Sequence, residues 1–367
     1  MTEEITISTL EVRKDGWHDT RVVRQKTGRE PGENEVLLKV DRLALTANNI
    51  SYAAAGDSLG YWGFFPTEEG WGRIPAMGWG DVVASAHPDI AVGERVWGFF
   101  PFSTHLKILA GKSRADQFHD ISPHRAEYAP VYAQFDRAAA NPIYEEGRED
   151  QDSLLRGLFM TSWLVEDFMN VNSAFGAGAC LITSASSKTS IALGHSVRQR
   201  GAVASIGLTS PGNVAFCEGL GCYDKVITYG DIASLDATQP VVMVDMAGSA
   251  QVLGDVHHHY GDNMKYSCQV GATHYQEMGA VDSLPGATPE FFFAPGHIQS
   301  RSRELGAAQL MMQLGMAYVG FRQFCDNWLR IERSCGSEAV GRVYQQVLAG
   351  RTDPASGQII SMWEEGA

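Results

Sequence analysis

The chain has 367 residues, room for two domains and a sizeable core. An apolar fraction of 44% with 20% charged residues and 39 glycines describes a loop-rich globular protein and excludes disorder and collagen. The 29 basic against 43 acidic side chains leave a net charge of −14, a field that repels nucleic-acid phosphates and anionic membrane surfaces, so neither is predicted as a partner.

Residues 1 to about 112 read as strands and turns. Glu35–Val40 alternates with a two-residue period, and Asp81–Ser85 and Arg95–Phe100 are short β-rich runs between Gly and Pro breaks, so a barrel-like all-β start is predicted. Gly56 to Gly80 sets Tyr61, Trp62, Phe64, Phe65, Trp71 and Trp79 among glycines and prolines with no regular period. Two readings stand side by side: a loop folded over the barrel, or the wall of a substrate pocket in which Tyr61 and Trp62 touch the ligand. The acidic patch Glu145–Asp150 reads as a solvated linker.

From about residue 151 the pattern changes. Leu154–Asn170 has helical spacing, and the buried-type strand Ala179–Ser184 follows it. Strands then alternate with helices: a strand at Gly201–Leu208, a helix at Val214–Leu220, and strands at Lys225–Tyr229, Val241–Asp245, Tyr266–Val270 and Glu290–Ala294. Uniformly apolar strands between helices predict a parallel sheet covered on both faces, the doubly wound dinucleotide-binding arrangement. Arg303–Arg333 reads as one long helix, Ser337–Leu348 as another, and Gln358–Met362 as a last strand. The expected domains are 1–150, 151–300 and a return segment 301–367.

In a doubly wound sheet the first strand-to-helix turn receives a pyrophosphate. Here that turn is Thr183-Ser184-Ala185-Ser186-Ser187-Lys188-Thr189-Ser190. It lacks GxGxxG, and the P-loop pattern is excluded because no glycine stands between 183 and 190. Small residues still let a backbone approach phosphates, and the hydroxyls add donors, so Ser184, Ala185, Ser186, Lys188 and Thr189 are the expected cofactor contacts. A hydroxyl-capped helix with no ligand is the competing reading of this turn. After the second strand come Thr209-Ser210-Pro211-Gly212-Asn213, with no acid before Glu218. An acid there would bind the ribose hydroxyls of NAD, so its absence favours NADP(H).

Four segments resemble a known family, the zinc-independent branch of the medium-chain dehydrogenase/reductases, which includes quinone oxidoreductases and enoyl reductases. They are Gly93-Glu94-Arg95-Val96-Trp97-Gly98, Phe159-Met160-Thr161-Ser162-Trp163, Gly219 to Ile227 and Gly357-Gln358-Ile359-Ile360, in the family's order. The Ser-rich turn is similar to that of a subgroup of uncharacterised bacterial proteins. The resemblance implies an α/β chain with a GroES-like β-barrel domain, a doubly wound Rossmann domain with a parallel sheet, and a C-terminal return to the barrel. By position it places Thr209, Ser210 and Asn213 at the 2′-phosphate and Tyr229 near the adenosine. It also puts Asp245 and Met246 beside the nicotinamide ribose, and Gly271 and Ala272 under the nicotinamide. It matches Thr46–Tyr52 to a barrel loop that carries a hydrogen-bond donor, which makes Tyr52 the first catalytic candidate, with Asn48 and Asn49 as substrate contacts or turn holders. His274, just past the fifth strand, is the second catalytic candidate.

No metal is expected. None of the six cysteines precedes residue 180, and His257-His258-His259 point in different directions on a helix. With no CxxC, the thiols read as core residues of a reducing compartment, and the acidic N-terminus with no span of roughly 18 apolar residues points to the cytoplasm. The sequence therefore predicts an NADP(H)-dependent oxidoreductase that passes hydride to an enone, quinone or enoyl thioester in a cleft between its domains. It acts on small molecules as a single chain or a homodimer. The alternatives are a redox-inactive nucleotide-binding or sensor protein, and a lyase or hydratase on the same fold.

Overall fold

The computed structural model describes residues 4–270 and 284–366. The chain forms two compact units, Met1–Leu154 with Leu329–Ala367, and Leu155–Trp328. The segment 301–367 thus divides between them, the helix Ala307–Cys325 belonging to the second unit and the rest from Leu329 to the first.

The first unit is a closed antiparallel barrel. Its six strands run Glu35–Leu45, Pro75–Ser85, Arg95–Pro101, Gln134–Arg137, Gln117–Asp120 and His105–Gly111 in spatial order, and the last pairs back onto the first. Alternating residues of these strands, among them Val36, Leu38, Val40, Val82, Val96, Phe100, Ile108, Phe118 and Phe135, fill the interior. The strand Ser356–Ser361 joins antiparallel to Glu35–Leu45, and Arg330–Cys335 pairs parallel to it. Residues 330–333 were expected to be helical. The backbone of Arg330 instead donates to the Ala355 carbonyl at 2.8 Å, and the ladder that follows outweighs local helical spacing. The expected long helix is also broken at Gly306, whose φ of 87° ends Ala294–Leu305 before Ala307–Cys325 begins.

Two sequence features acquire physical reasons here. Trp62 lies in the barrel core between Gly56 and Gly72, where an added Cβ would sit 2.1 Å and 2.4 Å from its indole, so the aromatic segment is folded over the barrel with Trp62 as its anchor. In the Gly93-Glu94-Arg95-Val96 turn, Arg95 donates to both carboxylate oxygens of Glu149 at 2.8 and 2.6 Å, to Asp81 at 2.9 Å and to Asp41 at 2.6 Å. Glu94 in turn accepts from Arg137 at 2.6 Å. The acidic patch is solvated only in its first half: Glu145, Glu146 and Gly147 are exposed, whereas Glu149 and Asp150 are each 4% exposed, because Arg95, Arg42 and Arg333 neutralise them.

The second unit carries a six-stranded parallel sheet. In space its strands run Lys225–Thr228, Ala204–Thr209, Ala179–Ile182, Val241–Asp245, Met264–Gln269 and Pro289–Phe291, which is sequence order third, second, first, fourth, fifth, sixth. The apolar residues of the two middle strands are wholly buried, as uniformly apolar sequences require. The helices Lys188–Arg200, Val214–Leu220 and Ala250–Tyr260 alternate with these strands. No helix among the described residues is long and apolar enough to cross a membrane.

Replacing Arg95 by Met leaves the buried Glu149 carboxylate without its bidentate partner. Urea unfolding should show a loss of about 3–5 kcal/mol. The double replacement Arg95→Met with Glu149→Met should recover part of that loss, since the buried pair carries its own desolvation cost. A loss below about 1 kcal/mol for Arg95→Met, the scale of a surface pair, would show that the network is solvent-screened.

Candidate functional site

The strand order of the second unit reverses between Ala179–Ile182 and Val241–Asp245, and ligands of doubly wound sheets lie outside the carboxyl ends of strands at such a reversal. Thr183 follows the first of these strands and Asp245 ends the other. The Thr183 hydroxyl donates to Asp245 Oδ1 at 2.7 Å and accepts the amides of Met246 at 2.8 Å and Ala247 at 3.1 Å. Asp245 Oδ1 also accepts from the amides of Ala247 at 3.0 Å and Gly248 at 3.3 Å. These donors satisfy a carboxylate that is only 3% exposed and bind the two turns into one piece.

The Ser-rich turn is shaped from below. Ser184 has φ +51°, a left-handed conformation costing about 1–2 kcal/mol for a residue with a Cβ, and its amide donates to the Tyr229 hydroxyl at 3.0 Å. The Ala185 amide reaches the Leu208 carbonyl at 3.0 Å, and the Ala185 carbonyl accepts the Tyr223 hydroxyl at 2.8 Å. Tyr223 fits there because Gly194 and Gly207 lack side chains: an added Cβ would lie 2.5 Å and 3.1 Å from its ring. Ser187 caps the helix Lys188–Arg200 by accepting the Ser190 amide at 3.2 Å, and the Ser190 hydroxyl donates to the Thr183 carbonyl at 2.7 Å. Ser187 and Ser190 therefore hold the turn, while Ser184 and Ser186, both half-buried, bond to Tyr229 and Asn213.

Asn213 joins this turn to the end of the second strand. Its side-chain amide donates to Ser186 Oγ at 3.0 Å and to Ser210 Oγ at 3.2 Å. Because both hydroxyls use a lone pair on Asn213, their own protons are free to be donated to an anion. The Tyr229 hydroxyl, an acceptor from Ser184, likewise keeps its proton, and burial pushes its pKa up. The first turn of the helix Lys188–Arg200 carries the positive end of its dipole. Amides and hydroxyls form a donor set that could hold a diphosphate with one further phosphate near Ser210, beside Asp245, whose Oδ1 already accepts from Thr183, Ala247 and Gly248.

One expected contact is withdrawn from the surface. Thr209 is 1% exposed and hydrogen-bonded with the Cys217 thiol, so the exposed residue at the strand end is Ser210. Lys188 is the first residue of the helix that follows the turn and is half-buried. Met246 is half-buried in the turn organised by Thr183. Gly271, Ala272 and His274 lie outside the described residues. Sequence reasoning missed Tyr223; its position within the Gly219–Ile227 segment was the available signal.

In the first unit, Tyr52 lies on the short helix Ala47–Ala54, which Thr46 and Asn49 cap reciprocally. Asn49 is spent on structure: it is 3% exposed, accepts the Thr46 amide at 2.7 Å and donates to the Pro75 carbonyl at 2.9 Å. Asn48 is half-buried at the helix start, its backbone amide donating to Thr46 Oγ1 at 3.3 Å. The Tyr52 ring stands 4.7 Å from Tyr61 and 6.2 Å from Phe99, and Tyr61 stands 6.1 Å from Tyr132. Burial pushes the Tyr52 and Tyr61 phenols well above their ordinary range, so both stay protonated donors at neutral pH. Beneath them the buried Arg125 donates to the carbonyls of Phe64 and Tyr132 and lies over the rings of Phe64 and Phe65. Tyr132 and Arg125 fall in a Pro-broken stretch without periodicity, which hid them from sequence reasoning.

Among the described residues no three His, Cys, Asp or Glu side chains cluster to hold a metal. The three adjacent histidines go separate ways: His257 bonds Ser267 and the Pro285 carbonyl, His258 the Gly254 carbonyl, and His259 the Leu235 carbonyl.

No curated protein matches this chain. Among solved structures it is similar to CurA of Vibrio vulnificus in complex with NADPH, with 12% identity, TM-score 0.60 and coverage of 96% of this chain and 98% of that one. A putative NADPH:quinone reductase of Mesorhizobium loti is 14% identical, with TM-score 0.60 and coverage of 98% and 100%. An Etr1p mutant in complex with NADP and crotonyl-CoA is also 14% identical, with TM-score 0.57 and coverage of 98% and 100%. At these identities the likeness establishes the fold, a GroES-like barrel unit with a doubly wound parallel-sheet unit. The family model described as "protein of unknown function (DUF2855)" matches residues 43–353, most of the chain, and the chain belongs to that family.

Proposed function

We propose that the chain is an NADP(H)-dependent oxidoreductase that passes hydride to an activated C=C or carbonyl group of a small molecule, an enone, quinone or enoyl thioester. The observation that carries the reading is Asn213 bridging Ser186 and Ser210, which draws the phosphate turn and the end of the second strand into one donor surface with no carboxylate at the 2′ position. Ser184, Ser186 and the first turn of the helix Lys188–Arg200 would hold the diphosphate, and Ser210 with Asn213 the 2′-phosphate. NADPH, when bound, supplies the hydride. Tyr52, kept protonated by its apolar surroundings, would donate to the acceptor oxygen, and negative charge gathering there would strengthen that hydrogen bond. The structural neighbours named above, proteins titled as NADPH complexes and quinone reductases, support the same class. Five of the six cysteines are buried and all are free thiols, which suits the reducing cytoplasm.

A second reading, nucleotide binding without turnover, is favoured by one observation: the amides of Ser184 and Ala185 are spent on Tyr229 and Leu208 rather than left for phosphate. Oxidation of NADPH by a panel of enones and quinones separates the two.

Isothermal titration should give NADPH at least tenfold tighter binding than NADH, and Ser210→Asp should reverse the order by placing a carboxylate beside the 2′-phosphate. Equal affinities, or tighter NADH binding by the unaltered chain, would contradict the assignment.

Tyr52→Phe should leave NADPH affinity unchanged while lowering kcat by about tenfold to a thousandfold. Full activity in Tyr52→Phe, together with loss of turnover in His274→Ala at unchanged NADPH affinity, would move the donor role to His274.

A further inference from the structure

Tyr223 lies buried at the base of the Ser-rich turn, on a segment fixed to the strand Ala204–Thr209. The Ser205 amide donates to Asp224 at 2.8 Å, the Asp224 amide to the Ser205 carbonyl at 2.9 Å, and the Ser205 hydroxyl to the Cys222 carbonyl at 3.2 Å. From this anchored backbone the ring passes Gly207 of that strand and Gly194 of the helix Lys188–Arg200, and its hydroxyl donates to the Ala185 carbonyl at 2.8 Å. Glycine is unfavourable inside a helix and inside a strand, yet here two of them, on different elements, leave the room that one ring occupies.

Peptide geometry says what that hydrogen bond does. The carbonyl and the amide of one trans peptide point in opposite directions, and the described residues contain no cis peptide. With the Ala185 carbonyl turned toward Tyr223, the Ser186 amide on the same peptide points away from it. That amide has no acceptor among the described residues, whereas its neighbours are all bonded: Ser184 to the Tyr229 hydroxyl, Ala185 to the Leu208 carbonyl and Ser187 to the Ser184 carbonyl. Among residues 184–187 it is therefore the one backbone donor left over, and an amide of this kind requires a partner. The hydroxyl of the same residue already accepts from Asn213 and has its own proton to give.

We propose that Tyr223 is a positioning residue for the dinucleotide: by holding the Ala185–Ser186 peptide, it directs the Ser186 amide at the diphosphate. This role rests on the dinucleotide reading proposed above. A glycine-rich loop turns its amides outward through its own backbone freedom. Ala185 and Ser186 carry a Cβ, and a phenol anchored on the second strand sets the peptide instead. Tyr229 acts in the opposite sense, since it accepts from the Ser184 amide and so removes that donor from the ligand. Burial pushes the Tyr223 phenol above its ordinary range, so its proton stays available to Ala185 throughout neutral pH.

Isothermal titration of the full chain with NADPH, NADH and adenosine 2′-monophosphate tests this, in the unaltered chain and in Tyr223→Phe, which keeps the ring and removes only the hydroxyl. NADPH and NADH share the diphosphate and should each bind at least about fivefold more weakly to Tyr223→Phe. Adenosine 2′-monophosphate lacks the diphosphate and should keep its affinity within about twofold, which a general loosening of the fold would not allow. Unchanged NADPH affinity, or an equal loss for all three ligands, would overturn the role of Tyr223. No binding of NADPH to the unaltered chain would instead defeat the dinucleotide reading and this role with it. If Tyr223→Phe does not fold, the unaltered chain labelled with ¹⁵N-serine decides. The Ser186 amide resonance should move downfield on adding NADPH by more than that of Ser184, and the reverse order, or no movement of Ser186 at saturation, would overturn the proposal.

Discussion

The hydroxyl of Thr183 lies where the parallel sheet reverses its strand order, and the geometry of the candidate site follows from what it holds. It donates to Asp245 and accepts the amides of residues 246 and 247, so the turns after the first and fourth strands cannot move independently. The Thr183 carbonyl takes the Ser190 hydroxyl, which ties the start of the helix to the same point. A glycine-rich loop obtains close phosphate approach by having no side chains. This turn keeps its side chains and turns them into props, with Ser187 and Ser190 facing inward, Tyr223 and Tyr229 supporting the backbone, and Ser186 left with a proton to give.

That difference explains what was legible in the sequence. Strands buried on both faces carry a continuous apolar signal, so Val241–Asp245 was readable to the residue, as were the helices Val214–Leu220 and Ser337–Leu348, and the neighbouring strands were readable with displaced ends. The barrel was readable as β structure, but its hairpin Glu4–Arg13 with Gly16–Gly28 was not resolved into strands. Residues 330–333 misled because a parallel ladder to Ser356–Ser361 is a long-range cause that leaves no local trace. The roles within the site were legible only as residue types. Which serine holds the turn depends on Asn213 and Ser190, and Thr209 is withdrawn from solvent by Cys217, a partner eight residues on.

Charge follows the same logic in the barrel unit. Glu149 and Asp150 belong to a run that reads as solvent-facing, yet the Arg95 guanidinium makes the start of a long helix a fixed point of the barrel. Arg125 does comparable work for the aromatic cluster, where one buried cation links the Phe64 and Tyr132 carbonyls and so sets the rings of Tyr61 and Tyr52 against each other. In both cases a single guanidinium, with several donors in one plane, joins segments far apart in sequence.

The central claim is that a glycine-free, hydroxyl-lined turn is a dinucleotide site. A crystal structure of the chain soaked with NADPH tests it most directly. The diphosphate is expected against Ser186 and the first turn of the helix Lys188–Arg200, and the 2′-phosphate on Ser210 and Asn213. A dinucleotide bound elsewhere in the chain, or no bound dinucleotide at saturating NADPH with this turn accessible to solvent, would contradict it.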